Sequence, residues 1–181
     1  MKVNFIVVML ITMVSGSSFA SNDASNNAIF GEFQNQVLIS SGQSIRSGFE
    51  VEDLFTASAA YSQPSDFFRI PGRITLEAGR FEGRDKVDNF SQYDLNFLGI
   101  SQDFQIFSIG GLYSTLGLGG YIKSETTNRI SSKFTFGQKF AIGYNFGSVS
   151  LETYIRHFSN GTLTEYNSGQ NFYGLSLGYN F

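Results

Sequence analysis

The C-terminal segment Phe172-Tyr173-Gly174-Leu175-Ser176-Leu177-Gly178-Tyr179-Asn180-Phe181 changes character residue by residue. Tyr173, Leu175, Leu177, Tyr179 and Phe181 form one set, and Phe172, Gly174, Ser176, Gly178 and Asn180 the other. A period of two sends each set to its own face of a β-strand. One face is aromatic and aliphatic; the other is mostly small or polar.

The same alternation recurs upstream. Phe134, Phe136, Phe140, Ile142, Tyr144 and Phe146 oppose Lys133, Thr135, Gly137, Lys139, Ala141 and Asn145. Runs bounded by Gly, Asn, Ser and Asp predict eight strands over Gln36–Ser44, Asp53–Tyr61, Arg73–Glu82, Tyr93–Phe107, Leu112–Lys123, Lys133–Phe146, Ser148–Phe158 and Phe172–Phe181. No stretch keeps a helical period, and each glycine inside these runs would cost a helix about 1 kcal/mol.

Two all-β architectures bury one face of eight strands. A soluble sandwich or lipocalin-like barrel turns the apolar face inward, whereas an outer-membrane barrel turns it to lipid and fills the lumen with polar and small residues. Charge separates them. Glu77, Lys139, Glu152 and Arg156 fall mid-strand on the face shared with Gly, Ser and Thr. A narrow lumen can pair such charges, while a lipocalin-like core would suffer their desolvation. Terminal Phe181 on the apolar face and aromatic residues near strand ends also suit a membrane wall. The expected fold is an eight-stranded antiparallel transmembrane β-barrel of the outer membrane.

Composition agrees. Of 181 residues, 41% are hydrophobic and 15% charged, against about 25% charged in an ordinary soluble domain. Zero Cys excludes disulfides and thiolate metal sites, and a single His excludes a multi-His site. The net charge of −3 argues against nucleic acid as a partner. Lys2, the apolar run Phe5–Val14 and small residues up to Ala20 have the three-part layout of a secretory signal, cleaved near Ala20/Ser21. The expected organisation is a signal peptide over 1–20, an Asn/Ser/Ala-rich leader over 21–35 and one barrel domain over 36–181. Arg80 to Asp88, with alternating charge signs, reads as a solvated loop.

The only His lies in Arg156-His157-Phe158-Ser159-Asn160-Gly161, followed by a loop to Asn167-Ser168-Gly169-Gln170-Asn171. Val149, Leu151, Thr153 and Ile155 form the lipid-facing set of the seventh strand, and His157 and Ser159 continue it. On the eighth strand Asn171 continues the set of Tyr173, Leu175 and Leu177. With Ser159 opposite Asn171 and Ile155 opposite Leu175, the three polar residues cluster on the outer wall near the interface, where polar groups facing lipid are tolerated. Ser needs a base to act as a nucleophile, His is the usual base, and a third group must orient the imidazole. Asn160 and Asn167 are amide donors suited to an oxyanion site. A plain alternative is an interfacial His and Ser making local loop hydrogen bonds.

The segment Arg156–Gly161, with Asn167-Ser168-Gly169 and a strand running to the C-terminus, resembles the PagL family of outer-membrane lipid A 3-O-deacylases, also described as acyloxyacyl hydrolases. The resemblance implies an eight-stranded barrel with its active site on the outer wall. It implies His157 as general base, Ser159 as nucleophile, and Asn160 and Asn167 at the oxyanion site. There is one departure: the family pattern has a Glu twelve residues after the Ser, and this chain has Asn171. Asn171 or the loop residue Glu165 would then orient His157, or the activity would be weakened. The stretch is also similar to the outer-membrane phospholipase A family, which has His-x-Ser-Asn-Gly and an Asn at that same offset, but on a twelve-strand barrel.

The expected activity is thus a serine esterase removing an ester-linked 3-hydroxyacyl chain, at the 3-position, from lipid A or lipopolysaccharide of the outer leaflet. Other membrane lipids are the expected surroundings, and no cofactor or metal is expected. The phospholipase alternative implies calcium at a homodimer interface. A third alternative is a non-catalytic barrel with a structural or adhesive role.

Overall fold

The computed structural model describes residues 33–45, 54–83, 94–127 and 129–181. The segment expected to be a signal peptide, with its cleavage site, and most of the leader lie outside these residues. Eight antiparallel strands close into one barrel in chain order: β1 Gln36–Ser44, β2 Leu54–Phe67, β3 Ile70–Gly83, β4 Asp94–Ile109, β5 Leu112–Lys123, β6 Phe134–Asn145, β7 Val149–Ser159 and β8 Gln170–Asn180. β1 closes against β8, Gln36 opposite Asn180 and Ser44 opposite Phe172, so no edge is left unpaired.

The faces are inverted relative to a soluble barrel. Ile39, Leu98, Ile100, Leu118, Ile155, Leu175 and Leu177 are exposed, while Arg73, Asp103, Glu77 and Glu152 are buried. An apolar wall around a charged interior is stable only with lipid outside. Alternate residues carry this out along most of the wall, most regularly on β6, where burial switches at each position from Phe134 to Tyr144. On β5, Tyr113, Ser114 and Thr115 are buried in succession, opposite a register shift between Gln105 and Phe107 of β4.

Inside, the charges expected to pair do so, together with two further ones. Arg73 reaches Glu152 at 2.6 Å and Asp103 at 3.1 Å, Lys139 lies 3.4 Å from Glu152, and Arg156 lies 2.8 Å from Glu77. Tyr113 donates to Glu152 at 2.8 Å. Small lumen residues make room for these large ones: a Cβ at Gly143 would lie 2.5 Å from the Tyr113 ring, and one at Gly42 2.7 Å from the Tyr154 hydroxyl. That crowding accounts for the glycines scattered through the strands. Toward the long-loop end the lumen is filled by Leu54, Phe81, Leu95, Phe97, Tyr121, Ile130, Phe158 and Phe172. Toward the short-turn end it opens into a cavity of about 150 Å³ bordered by Phe33, Gln36, Gln105, Tyr113 and Asn180.

Two expectations are corrected. β2 does not stop at Tyr61; it runs past Pro64 to Phe67, and β3 begins at Ile70 rather than Arg73. Beyond Ser62 this strand outruns its pairing with β1, which starts at Gln36, so Pro64 withholds no N–H from that side. The hairpin closes through Phe68 and Arg69, both at positive φ (54° and 64°). Asn-Gly or Gly-Gly would announce such a turn, as Gly110-Gly111 does between β4 and β5; Phe-Arg does not. Second, the loop expected over Arg80–Asp88 overlaps the strand expected over Arg73–Glu82, and as far as Gly83 the strand prevails. Phe81 is buried in the aromatic fill, and Arg80 bonds Glu82 and Asp94 at 3.2 and 2.9 Å, while residues 84–88 lie outside the described residues.

Candidate active site

β7 delivers the site by alternation. Arg156, Phe158 and Asn160 turn inward and are buried, while His157 and Ser159 emerge half-buried on the outer wall. Arg156 is anchored by Glu77, and Phe158 packs edge-on to Phe81 and Tyr121. Both outward residues are thus fixed from behind.

The β7–β8 register differs from the expected one. His157 pairs with Asn171, Ile155 with Tyr173 and Phe158 with Gln170; Ser159 does not face Asn171, and Ile155 does not face Leu175. A two-residue slip preserves which face each side chain occupies, so alternation alone cannot distinguish the two registers. The loop decides. Its first residue, Asn160, and its last, Gly169 at φ 68°, set how the chain re-enters β8.

The observed register brings His157 and Asn171 together more directly. His157 Nδ1 lies 2.7 Å from Asn171 Oδ1. With the carbonyl oxygen as acceptor, Nδ1 carries the proton and Nε2 keeps its lone pair. Gly169 sits against the far edge of the ring: a Cβ there would lie 2.6 Å from Cε1 and 3.3 Å from Nε2. Ser159 lies two residues beyond His157 on the same face, about 6.8 Å along the strand at Cα. The place beside Nδ1 is taken by Asn171, while Glu165 is exposed on the loop.

Asn160 and Asn167 bond first to each other. The Asn160 backbone N–H donates to Asn167 Oδ1 at 2.8 Å. Asn160 Nδ2 donates to Thr164 Oγ1 at 2.5 Å and to the Tyr166 carbonyl at 3.0 Å, and its Oδ1 accepts from the Thr162 N–H at 3.0 Å. The Asn160 side chain is therefore fully buried and committed to shaping the loop. Asn167 is half-buried, and its Oδ1 takes the Asn160 bond, which leaves Nδ2 as its donor.

Residues that the sequence reading missed hold this loop from the side. Ile130, buried in the aromatic fill, bridges to Asn167. The Ser168 N–H donates to the Arg129 carbonyl at 2.8 Å, and Arg129 Nε donates to the Gly169 carbonyl at 2.8 Å. The β5–β6 connection is thus a strap across the loop that backs His157. Nothing in local alternation signals such a contact between connections. Among the described residues no group of three or more His, Asp or Glu side chains assembles to hold a metal ion.

The sequence pattern of the lipid A 3-O-deacylase (PagL) family matches residues 65–180, which spans β3 to β8 and every residue of the site. The chain belongs to the PagL family. Among solved structures, the barrel is similar to Neisserial surface protein A, with 14% identity and a TM-score of 0.59 over 81% of this chain and 97% of that one. It is similar also to the outer membrane enzyme PagL, with 14% identity and a TM-score of 0.55 over 81% of this chain and 99% of that one. At such identity these likenesses speak for the fold. No curated protein matches the chain in sequence. Family membership and the lipid-facing wall place this PagL-family barrel in the outer membrane of a Gram-negative cell, where short turns are periplasmic and long loops extracellular. The His157 end of β7, beside a long loop, is then at the outer leaflet.

Proposed function

We propose that this protein is a serine esterase that removes the ester-linked 3-hydroxyacyl chain at the 3-position of lipid A. The observation that carries the reading is the His157–Asn171 bond on the lipid-facing wall, one step below Ser159. A half-buried imidazole oriented by an amide and followed at i+2 by a hydroxyl serves catalysis better than it serves a membrane wall, where apolar residues are cheaper.

The chemistry runs in two halves. Ser159 Oγ attacks the ester carbonyl carbon as His157 Nε2 takes the hydroxyl proton, and the carbonyl π electrons move onto oxygen. The oxyanion is met by the Asn167 amide and loop N–H groups, with Asn160 bracing that loop. The intermediate collapses, the bond between the acyl carbon and the sugar oxygen breaks, and the sugar alkoxide takes the proton from His157. Water then attacks the acyl-serine carbonyl as His157 Nε2 takes one of its protons; the bond from the acyl carbon to Ser159 Oγ breaks, His157 returns the proton to Oγ, and the fatty acid leaves. Asn171 orients the base throughout.

A substrate entering from the outer leaflet reaches this wall without leaving the membrane, which suits a lipid. Asn171 also favours a second reading, phospholipase A activity, because the phospholipase resemblance carries Asn at that place. The test is mass spectrometry of lipid A and phospholipids from cells expressing wild type or Ser159→Ala. Loss of one ester-linked hydroxyacyl chain from lipid A with wild type alone supports the deacylase. Lysophospholipid with intact lipid A moves the assignment to a phospholipase, and no difference in either lipid sinks both.

A further inference from the structure

Beyond the His, Ser and Asn residues, we infer that Gln138 on β6 is a substrate-contacting residue, donating a hydrogen bond to the polar linkage region of the lipid that lies across β6 and β7. The inference rests on the lipid-esterase reading above. Gln138 pairs directly with His157 on the opposite side from Asn171, so Gln138, His157 and Asn171 form one row across β6, β7 and β8.

Directly paired residues on one face have Cβ atoms about 4.5–5.5 Å apart, and long side chains also reach the diagonal neighbour. The diagonal neighbours of Gln138 are Ile155 and Ser159, which pair with Phe140 and Phe136. A carboxamide at Gln138 therefore borders both the base and the nucleophile.

Its surroundings single it out. The outward set of β6 is Phe134, Phe136, Gln138, Phe140, Ile142 and Tyr144, with Gln138 the one polar member. Two phenylalanines lie between it and the loop end of the strand, so it stands inside the apolar stripe rather than at its margin. Its neighbour on the other side, β5, is Leu118. An exposed amide held among apolar groups and lipid is costly unless something accepts its hydrogen bonds. Ester carbonyls and sugar hydroxyls of a bound lipid are acceptors at that depth; acyl chains are not.

The test uses the full-length protein with lipid A as the probe. Binding is measured on Ser159→Ala, which cannot turn over, with and without Gln138→Leu, and turnover is measured on wild type and Gln138→Leu. Phe140→Leu, two residues away on the same stripe, is the control, and Gln138→Met is a second variant should Leu fold poorly. Heat-dependent gel mobility reports the folded barrel, which Gln138→Leu should leave at least as stable, since it removes a polar group from lipid. Lipid A binding weaker by about 3- to 10-fold, the scale of one neutral hydrogen bond, with a matching loss of turnover and a normal Phe140→Leu, is the expected result. Unchanged binding and turnover in Gln138→Leu overturns the inference, as does an equal loss in Phe140→Leu or absence of lipid A binding by Ser159→Ala. Gln138-dependent binding without any turnover by wild type overturns the esterase reading alone.

Discussion

Asn171 stands directly across the β7–β8 ladder from His157, its Oδ1 2.7 Å from the imidazole Nδ1. An amide in this place does half of what a carboxylate does. It favours the tautomer with Nε2 unprotonated and fixes the ring, but would offer no negative charge to the imidazolium that the proposed attack forms. A neutral partner is also the cheaper one to keep on a wall that faces lipid.

Asn171→Leu removes the acceptor and leaves an apolar residue on the lipid face. The barrel should stay folded while kcat falls by about 10- to 100-fold, part of the 10²–10⁴ that a positioned base supplies. KM should change little, because in the proposed mechanism Asn171 acts on the base. Deacylation kinetics on lipid A in detergent, beside gel mobility of the folded form, measure both. A variant as active as wild type would remove Asn171 from the mechanism.

Gly169 is the second point of contact with the ring. At φ 68° it occupies the left-handed region, and a methyl group there would meet Cε1 at 2.6 Å. Gly169→Ala should cost about 1 kcal/mol in backbone strain and push the imidazole away from Ser159. The expected result is at least a tenfold loss of activity with the thermal midpoint lowered by only a few degrees. Activity at the wild-type level would mean that the ring has room to give.

The strands and their faces were legible because period two survives through most runs, unbroken on β6 and β7: the parities of His157, Ser159 and Asn171, and the inward turn of Glu77, Lys139, Glu152 and Arg156, follow from counting. What escaped was set by contacts that counting does not see. The partner of His157 depends on a loop closed by Asn160 and Gly169, and parity is blind to a slip of two. Arg129 acts from another connection altogether. Gln138 was passed over although counting reaches it, since one amide among five apolar residues on β6 is a signal that alternation itself supplies. The Phe68-Arg69 turn carried no turn chemistry to find.

Arg129 supports the site without touching it. Its guanidinium donates to the carbonyls of Gly169 and Ser168 at 2.8 and 3.4 Å. Arg129→Ala should free the loop behind His157, lowering activity about 5- to 20-fold and speeding protease cleavage between residues 160 and 169. Each lost charge-assisted bond is worth about 1.5–3 kcal/mol in favourable settings and less where water reaches it. Unchanged protease sensitivity would show that the strap holds through its backbone contacts, the Ser168 N–H to the residue-129 carbonyl, the Ile130–Asn167 bridge and the Ser131 N–H to the Tyr166 carbonyl.

Stability and catalysis should separate across the barrel wall. Glu152 is buried and accepts from Arg73 at 2.6 Å and Tyr113 at 2.8 Å, with Lys139 at 3.4 Å. Glu152→Gln keeps the shape but leaves Arg73 and Lys139 to share Asp103, at 3.1 and 4.0 Å. A buried charge stripped of its partner destabilises by about 3–5 kcal/mol, and the retained amide acceptor should keep the loss near the lower end. The unfolding midpoint in urea should fall accordingly. Activity per folded molecule should not, because Glu152 faces the lumen, whereas His157, Ser159 and Asn171 face lipid and their β7 neighbour Arg156 pairs with Glu77 instead. Equal losses of stability and activity would mean that the two faces of β7 are mechanically coupled, and that the outer-wall site depends on the charge network behind it.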